Sequence, residues 1–204
     1  MPKDTFLNLP EQKRRRIFEA AVDEFAEKRF SEASINSIVK AAGIPRGSFY
    51  QYFADKEDLY LYMLGEIGKE KMKVVMEAGM LESDAGFFEV YEHMFKVGLR
   101  WAEKHPRYSR VGILMKLDDS GFISKLKSMA DAGFKQLEAL VDRDKARGLI
   151  APDVDSKLVV SLLSNGISAD VQELFKKGNE AELIDRVKKT IRIIKGGIAI
   201  VQGR

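Results

Sequence analysis

The sequence has no cysteine, two histidines and five prolines, and each scarcity excludes a class of structure or chemistry. Without cysteine the chain forms no disulfide, no thiolate zinc site and no iron–sulfur cluster. His93 and His105 have no third ligand nearby, so we interpret them as hydrogen-bonding side chains rather than metal ligands. We therefore expect no cofactor and no metal, and the long proline-free stretches favour helices.

Long apolar runs are also missing. The first ten residues lack the apolar centre of a signal peptide, and no run approaches the roughly 20 apolar residues that span a bilayer. We therefore expect a cytoplasmic protein with no membrane partner. The net charge of +3 is too small to indicate a nucleic-acid partner by itself.

Motifs for catalysis are absent as well. The chain has no Gly-x-Ser-x-Gly elbow, no phosphate-binding glycine loop and no paired-histidine metal motif. We therefore do not expect an enzyme.

What the sequence does contain is helical periodicity from end to end. Apolar residues recur at intervals of three and four, and no strand alternation interrupts them. This pattern predicts an all-α protein of about nine helices. The predicted helices cover about residues 10–28, 35–42, 46–53, 55–78 with Asp55 as its cap, 85–105, a short stretch through 108 and 114, a stretch that follows 118–121 and ends at 148, 154–177 and 180–201.

The segment from Ser34 to Phe53 has the pattern of a helix-turn-helix. Ser34 is a good N-cap for a short helix, and Gly43 provides the left-handed backbone angles that a helix C-terminus needs. Pro45 then starts a second helix whose inner face carries Phe49 and Phe53. A short helix, a glycine turn and a second helix with a polar outer face are the parts of a DNA-reading motif.

The outer face of that second helix offers groups suited to DNA. Arg46 and Gln51 are predicted to contact base edges, because guanidinium pairs with guanine and the glutamine amide with adenine. Ser48, Tyr50 and Tyr52 are predicted to contact phosphates and thymine methyl groups. The two tyrosines could instead be ordinary half-buried aromatics.

The amide ends of two helices are further predicted DNA contacts. Ser34 and Lys56 stand at these ends, where unpaired N–H groups favour phosphate oxygens. Lys56 could instead be a simple surface lysine. Four consecutive basic residues, 13–16, are either a solvated helix face or a second contact to the DNA backbone.

Residues 10–60 resemble the DNA-binding domain of the tetracycline-repressor (TetR) family. Three short runs coincide with the family pattern: Ala42-Gly43, Phe49-Tyr50-x-Tyr52-Phe53 and Lys56-Glu57-x-Leu59. The resemblance implies that Tyr50 and Lys56 hold phosphates and that the start of the third helix, including Gly47, enters the major groove. It also implies a DNA-binding domain over residues 1–60 and a helical ligand-sensing and dimerisation domain over 61–204.

The function implied is a ligand-responsive transcriptional regulator, in this family most often a repressor, that binds a palindromic double-stranded DNA operator as a homodimer. The alternative is a helical interaction module that retains the helix-turn-helix shape without binding DNA.

An effector pocket is predicted in the helices after residue 61. Seven of the eight methionines lie between residues 63 and 129, and flexible thioethers suit both an adaptable pocket and an irregular core. The effector expected there is a small apolar or amphipathic molecule. The candidate pocket residues are Met94, Trp101, Tyr108, Met115, Phe122 and Phe134.

The last two predicted helices carry more apolar side chains than one flank of a helical domain needs. A four-helix interface between two chains would bury them, whereas the alternative is a weak final helix around Gly196 and Gly197. The candidate interface residues are Leu162, Ile167, Val171, Ile191, Ile194 and Ile198.

Overall fold

The regular structure in this computed structural model is helical. The structure describes residues 1–77, 79, 84–129, 134–164 and 180–198, and no β-strand lies within those ranges. Ten helices have both ends in the described residues: α1 Asp4–Leu7, α2 Glu11–Glu27, α3 Ile35–Ala41, α4 Arg46–Tyr52, α5 Lys56–Glu77, α6 Phe87–Lys104, α7 Pro106–Lys116, α8 Gly121–Met129, α9 Phe134–Ala146 and α11 Glu180–Ile198. Residues 156–164 are also helical and are called α10. The predicted all-α fold is confirmed.

One feature differs from the sequence-based expectation. Helix α1 was not predicted, because four residues are too few to show a periodicity. The helix expected to end at 148 falls on α8 and α9, and residues 130–133 between them lie outside the described residues. The remaining helix ends agree with the predicted ones to within a few residues wherever both can be compared.

The chain divides into two compact units, each assembled from separate segments. The first unit contains Met1–Val74 and Arg100–Lys127, and the second contains Val75–Leu99 and Ser128–Arg204. The functional boundary predicted near residue 60 stays a prediction.

The core of the first unit is rich in aromatic side chains. Helix α2 contributes the buried Ile17, Ala21 and Phe25, which follow one another at intervals of four as the periodicity requires. Phe25 packs edge-on against Tyr60 of α5, with ring centroids 4.7 Å apart. The buried side chains of the helix-turn-helix are part of this core.

The second unit has its own apolar core. Phe87 of α6 is fully buried there together with Val141 of α9 and Leu163 of α10. Asp144 is also buried, and its Oδ2 accepts a hydrogen bond from the N–H of Phe87 at 2.6 Å. That bond satisfies a donor at the start of α6, where the helix has no internal acceptor.

No helix in the described ranges is long and apolar enough to cross a membrane.

Candidate nucleic-acid interface

Two hydrogen bonds of Ser34 hold the start of α3, the first helix of the motif. The Ser34 hydroxyl accepts a hydrogen bond from the N–H of Asn36 at 3.2 Å, as predicted for an N-cap. The Ser34 N–H in turn donates to Glu24 Oε1 of α2 at 2.9 Å. Glu24 is buried and also accepts from the Lys28 ammonium at 3.0 Å. The start of α3 is therefore attached to α2, and the Ser34 side chain is already in use within the protein.

The turn between α3 and α4 depends on Gly43. Its φ of +63° lies in the left-handed region, which residues with a Cβ atom rarely adopt. The N–H of Ile44 donates to the carbonyl of Val39 at 3.0 Å, and the N–H of Gly43 donates to Lys40 at 3.2 Å. These two bonds form the glycine helix ending that the sequence predicted, and they redirect the chain into α4.

Helix α4 has one buried face and one exposed face. Phe49 is fully buried on the inner side, whereas Arg46, Gly47, Tyr50 and Gln51 are exposed. These four residues lie at intervals of one, three and four, so they share a single face of the helix. Ser48, at the edge of that face, is half-buried. The predicted DNA-facing residues of α4 other than Tyr52 thus lie together, whereas Ser34 and Lys56 belong to other helix ends.

Tyr50 is the large aromatic on this face. It is 44% exposed, and its ring stands edge-on against Phe49 with centroids 5.2 Å apart and an interplanar angle of 87°. Because Phe49 is fully buried, it provides a rigid support for the Tyr50 ring. The phenolic hydroxyl of Tyr50 therefore projects from a ring whose position is fixed.

The structure corrects the placement of Tyr52. This side chain is 6% exposed and packs in the core of the first unit, 6.1 Å from the ring of Phe6. The Lys13 ammonium lies 5.6 Å from the centroid of the Tyr52 ring. Residue 52 follows the buried Phe49 by three positions, which places it on the inner face of the helix. Tyr52 is therefore a core aromatic, buried more deeply than the half-buried side chain of the alternative interpretation.

Lys56 is more than a simple surface lysine, and the phosphate contact predicted for it stays a prediction. Its ammonium donates to the carbonyl oxygens of Phe30 at 2.6 Å and Ala33 at 2.8 Å, and lies 4.6 Å from the centroid of the Phe30 ring. Burial lowers the pKa of Lys56, while the nearby carboxylates of Asp118 and Glu24 act in the opposite direction. Lys56 thus ties α5 to the loop before α3, and two of its three N–H donors are occupied.

The N-terminus of α5 is closed by carboxylates. Asp55 Oδ1 accepts from the N–H of Asp58 at 2.8 Å, and Asp58 Oδ2 accepts from the N–H of Ala54 at 3.1 Å. The capping role predicted for Asp55 is confirmed. The phosphate contact predicted at this helix end stays a prediction.

Part of the basic run 13–16 contacts other residues of the chain, and part of it is exposed. Arg14 donates to the carbonyl of Leu7 at 2.6 Å, and Arg15 lies 3.9 Å from Glu19. Arg16 is exposed on the same turn of α2. A contact between this run and the DNA backbone stays a prediction.

Comparison with known proteins places this motif in a family. Residues 17–63 match the model of a family described as bacterial regulatory proteins, tetR family. A TetR family transcriptional regulator from Chloroflexus aurantiacus has a crystal structure that is 30% identical to this chain. The match covers 98% of this chain and 99% of that one, with a TM-score of 0.65. The chain belongs to the TetR family.

Two more distant matches extend over nearly the whole length. The transcriptional repressor AcnR of Corynebacterium glutamicum is 23% identical, over 90% of this chain and 94% of the relative. FadR of Bacillus subtilis, crystallised with stearoyl-CoA, shares the fold at 17% identity and a TM-score of 0.72, over 90% of this chain and 98% of that one. This TetR-family chain is therefore a DNA-binding transcriptional regulator, and the family's members are generally transcription factors rather than enzymes.

The predicted pocket residues of this TetR-family chain fall in both units. Four of them, Trp101, Tyr108, Met115 and Phe122, belong to or pack against the core of the first unit. Met94 and Phe134 belong to the second. The Trp101 indole N–H is buried and has no acceptor in the described part of the chain. The six residues as one ligand pocket stay a prediction.

A concavity of about 350 Å³ lies within the second unit. Phe134 and Val160 supply its apolar lining, and Lys135 and Lys157 supply its positive charges. A site of this size, with a few polar groups around apolar walls, fits a small amphipathic molecule. Of the predicted pocket residues only Phe134 lines it among the residues described.

The predicted dimer residues differ in their exposure. Leu162 is 51% exposed on α10, whereas Ile194 and Ile198 of α11 are partly buried against the core of their own unit. Ile191 is fully within that core, so its predicted exposure to a partner is corrected. Ile167 and Val171 lie outside the described residues.

Proposed function

We propose that this TetR-family regulator is a ligand-responsive repressor that binds a palindromic operator as a homodimer. The observation that carries the proposal is the exposed face of α4, where Arg46, Tyr50 and Gln51 stand together above a fully buried face. Forked guanidinium and amide groups on one helix face can read base edges in a major groove. Repression is supported by the relatives, since AcnR of C. glutamicum is described as a repressor.

Dimerisation is supported by apolar side chains that the second unit leaves exposed. Leu158 and Leu162 are 55% and 51% exposed, and their spacing of four places them on one face of α10. Burying them against a second chain would remove apolar area from water. Two-fold symmetry would then set two copies of α4 against two half-sites of inverted sequence.

Ligand response is supported by the attachment of α2 to α7 within the first unit. The Arg107 guanidinium of α7 donates to Asp23 at 2.5 Å and to Glu19 at 2.7 Å, both on α2. Arg110 donates to the carbonyl of Ala26 at 2.8 Å. A ligand that prefers one arrangement of α7 would thereby also favour one arrangement of α2 and the motif attached to it.

The operator is tested by selection from a pool of random duplexes with the purified chain. The proposal predicts enrichment of an inverted repeat whose half-site centres are about one helical turn or a multiple apart. A single, unrepeated site would contradict the dimeric arrangement. Recovery of no enriched sequence at all would favour the alternative, an interaction module that does not bind DNA.

The effector is tested with stearic acid as the probe, because it is the acyl part of the stearoyl-CoA with which FadR of B. subtilis was crystallised and is small enough for a concavity of about 350 Å³. We expect it to raise the melting temperature and to release the selected duplex, because both follow from preferential binding to the form that does not bind DNA. Coenzyme A without the acyl chain is the control. Release by both compounds alike would contradict an amphipathic effector.

A further inference from the structure

The last turn of α4 is held by a short segment far from it in sequence. The carbonyl of Tyr50 accepts from the Lys3 ammonium at 2.7 Å, and the carbonyl of Tyr52 accepts from the Lys3 N–H at 2.9 Å. Between them, the carbonyl of Gln51 accepts from the Thr5 hydroxyl. Three of the four carbonyls that a helix end leaves unpaired are thus paired here with residues 3 and 5.

Phe6 anchors that segment in the core. Its side chain is fully buried, and its ring lies 4.7 Å from the ring of Phe53 and 5.0 Å from that of Tyr62. Phe53 is the C-cap residue of α4, and Tyr62 belongs to α5. The segment of residues 3–6, called the clamp here, therefore fixes the end of α4 against α5.

The clamp acts on a helix that needs support. Helix α4 has seven residues, fewer than an isolated helix requires to be stable in water. Its N-cap residue Pro45 makes no side-chain capping bond. Base readout depends on the placement of side chains to a fraction of an ångström. A helix without intrinsic stability meets that demand only if other segments hold its backbone.

We propose that residues 3–6 are positioning residues of the DNA-reading site. They hold the carbonyls of Tyr50, Gln51 and Tyr52 so that the side chains on the outer face of α4 meet base edges in one orientation. The inference rests on the proposed function, because an effect of these residues on base recognition can be measured only if α4 recognises base sequence. It adds to that function a determinant that lies outside the helix-turn-helix.

The decisive test is a matched pair at Thr5, since neither substitution changes the charge. Thr5→Val removes the hydroxyl donor and keeps the shape, whereas Thr5→Ser keeps the donor. For each variant, affinity is measured by fluorescence anisotropy for the selected duplex and for random duplex. We expect Thr5→Val to lower the ratio of the two affinities roughly three- to tenfold, the equivalent of one hydrogen bond, and Thr5→Ser to retain the ratio.

A second pair isolates the backbone donor of residue 3. Lys3 has a φ of −75°, which proline adopts without strain. Lys3→Ala and Lys3→Pro lose the same side-chain charge, but only Lys3→Pro also loses the N–H that donates to Tyr52. We expect a lower affinity ratio for Lys3→Pro than for Lys3→Ala. Leu7→Ala is the control in the same helix, because Leu7 is exposed.

A purely structural clamp would give a different result from a positioning one. It would lower the melting temperature while the ratio of affinities stayed at the wild-type value, and that result would overturn the proposal. All variants are compared at a temperature where each is folded, with any purification tag at the C-terminus. If the wild-type chain itself showed no sequence preference, the proposed function would be contradicted. Failure of the proposed function is thereby distinguished from failure of the positioning proposal.

Discussion

The two compact units differ in where their exposed leucines lie. In the first unit Leu7 and Leu61 are 47% and 43% exposed on two separate helices, α1 and α5. In the second unit Leu158 and Leu162 are 55% and 51% exposed on one face of α10, and Ile193 of α11 is 76% exposed. The two leucines of α10 therefore form a patch, and we propose that a second chain covers it.

The largest effect is expected from removing a core aromatic of the first unit. Phe53→Ala deletes a fully buried ring that packs on Phe6 and Phe49, so the free energy of unfolding should fall by about 3–5 kcal/mol. Urea denaturation measures this. Leu61→Ala is the control, because Leu61 is exposed and should cost less than about 1 kcal/mol. Equal costs would mean that the first unit is not organised around this core.

Next in size is the loss of the proposed dimer. Leu158→Asp combined with Leu162→Asp places two charges on the exposed apolar face of α10. Dimerisation should weaken by roughly 3 kcal/mol or more, a factor of more than about 100 in Kd, because two leucines of each chain no longer contribute burial. Analytical ultracentrifugation over a concentration series measures it.

Leu61→Asp provides the matched control for this interface, since it adds a charge at an exposed leucine of the first unit. The chain carrying it should remain dimeric. If both variants dissociate alike, or if neither does, the contrast between the two units is wrong.

The sequence predicted the parts of the first unit whose signals are local. The N-cap at Ser34, the turn at Gly43 and the cap at Asp55 depend on residues within four positions of one another, and each is confirmed. Lys56 could not be predicted in the same way, because its acceptors lie 23 and 26 residues earlier. Nor could α1, since it is held by Phe6 and by contacts to α4 rather than by its own propensity.

Helical spacing alone places two of the residues predicted to be exposed, Tyr52 and Ile191, on buried faces. Tyr52 follows Phe49 by three positions and precedes Phe53, so helical spacing alone places it on the buried side. Ile191 follows the buried Val187 by four positions and shares its face. An excess of apolar residues in a helix therefore does not by itself show which of them face a partner.

A substitution at Lys56 tests whether it holds the protein or the DNA. Lys56→Met keeps the stem but leaves the carbonyls of Phe30 and Ala33 without their donor. The free energy of unfolding, measured without DNA, should fall by about 1.5–3 kcal/mol. Lys40→Met, at an exposed position of α3, is the control and should leave stability within about 0.5 kcal/mol. Unchanged stability with weakened DNA binding would instead support the phosphate contact predicted from the sequence.

The smallest expected effect is a pH dependence that arises at Asp118. Its Oδ2 accepts from the N–H and hydroxyl of Ser31 at 2.8 and 2.9 Å. Burial alone would raise the pKa of Asp118, but hydrogen bonds from Ser120 and Ser31 outweigh it and lower the pKa to about 2. Because the folded pKa lies below the ordinary value, this stabilisation is present above about pH 4 and is lost as the pH falls through 2.

The urea concentration at the midpoint of unfolding should therefore fall less between about pH 4 and pH 2 in Asp118→Asn than in the wild type. Asp185→Asn is the matched control in the second unit, where the pKa of Asp185 is lowered by its hydrogen bond to Lys189 but the pair is exposed. An exposed pair contributes little to stability. An equal change in both variants would show that the buried contact of the first unit has no special part in acid stability.

The central claim is that the exposed face of α4 reads DNA sequence, and Gln51 tests it most directly. Anisotropy titrations compare wild type, Gln51→Ala and the exposed control Gln136→Ala on the selected duplex, on single-base variants of it and on random duplex. We predict that Gln51→Ala loses about 1–3 kcal/mol of discrimination at one position of each half-site, while random binding and its salt slope are unchanged. Equal discrimination by Gln51→Ala and wild type at every position would contradict the claim.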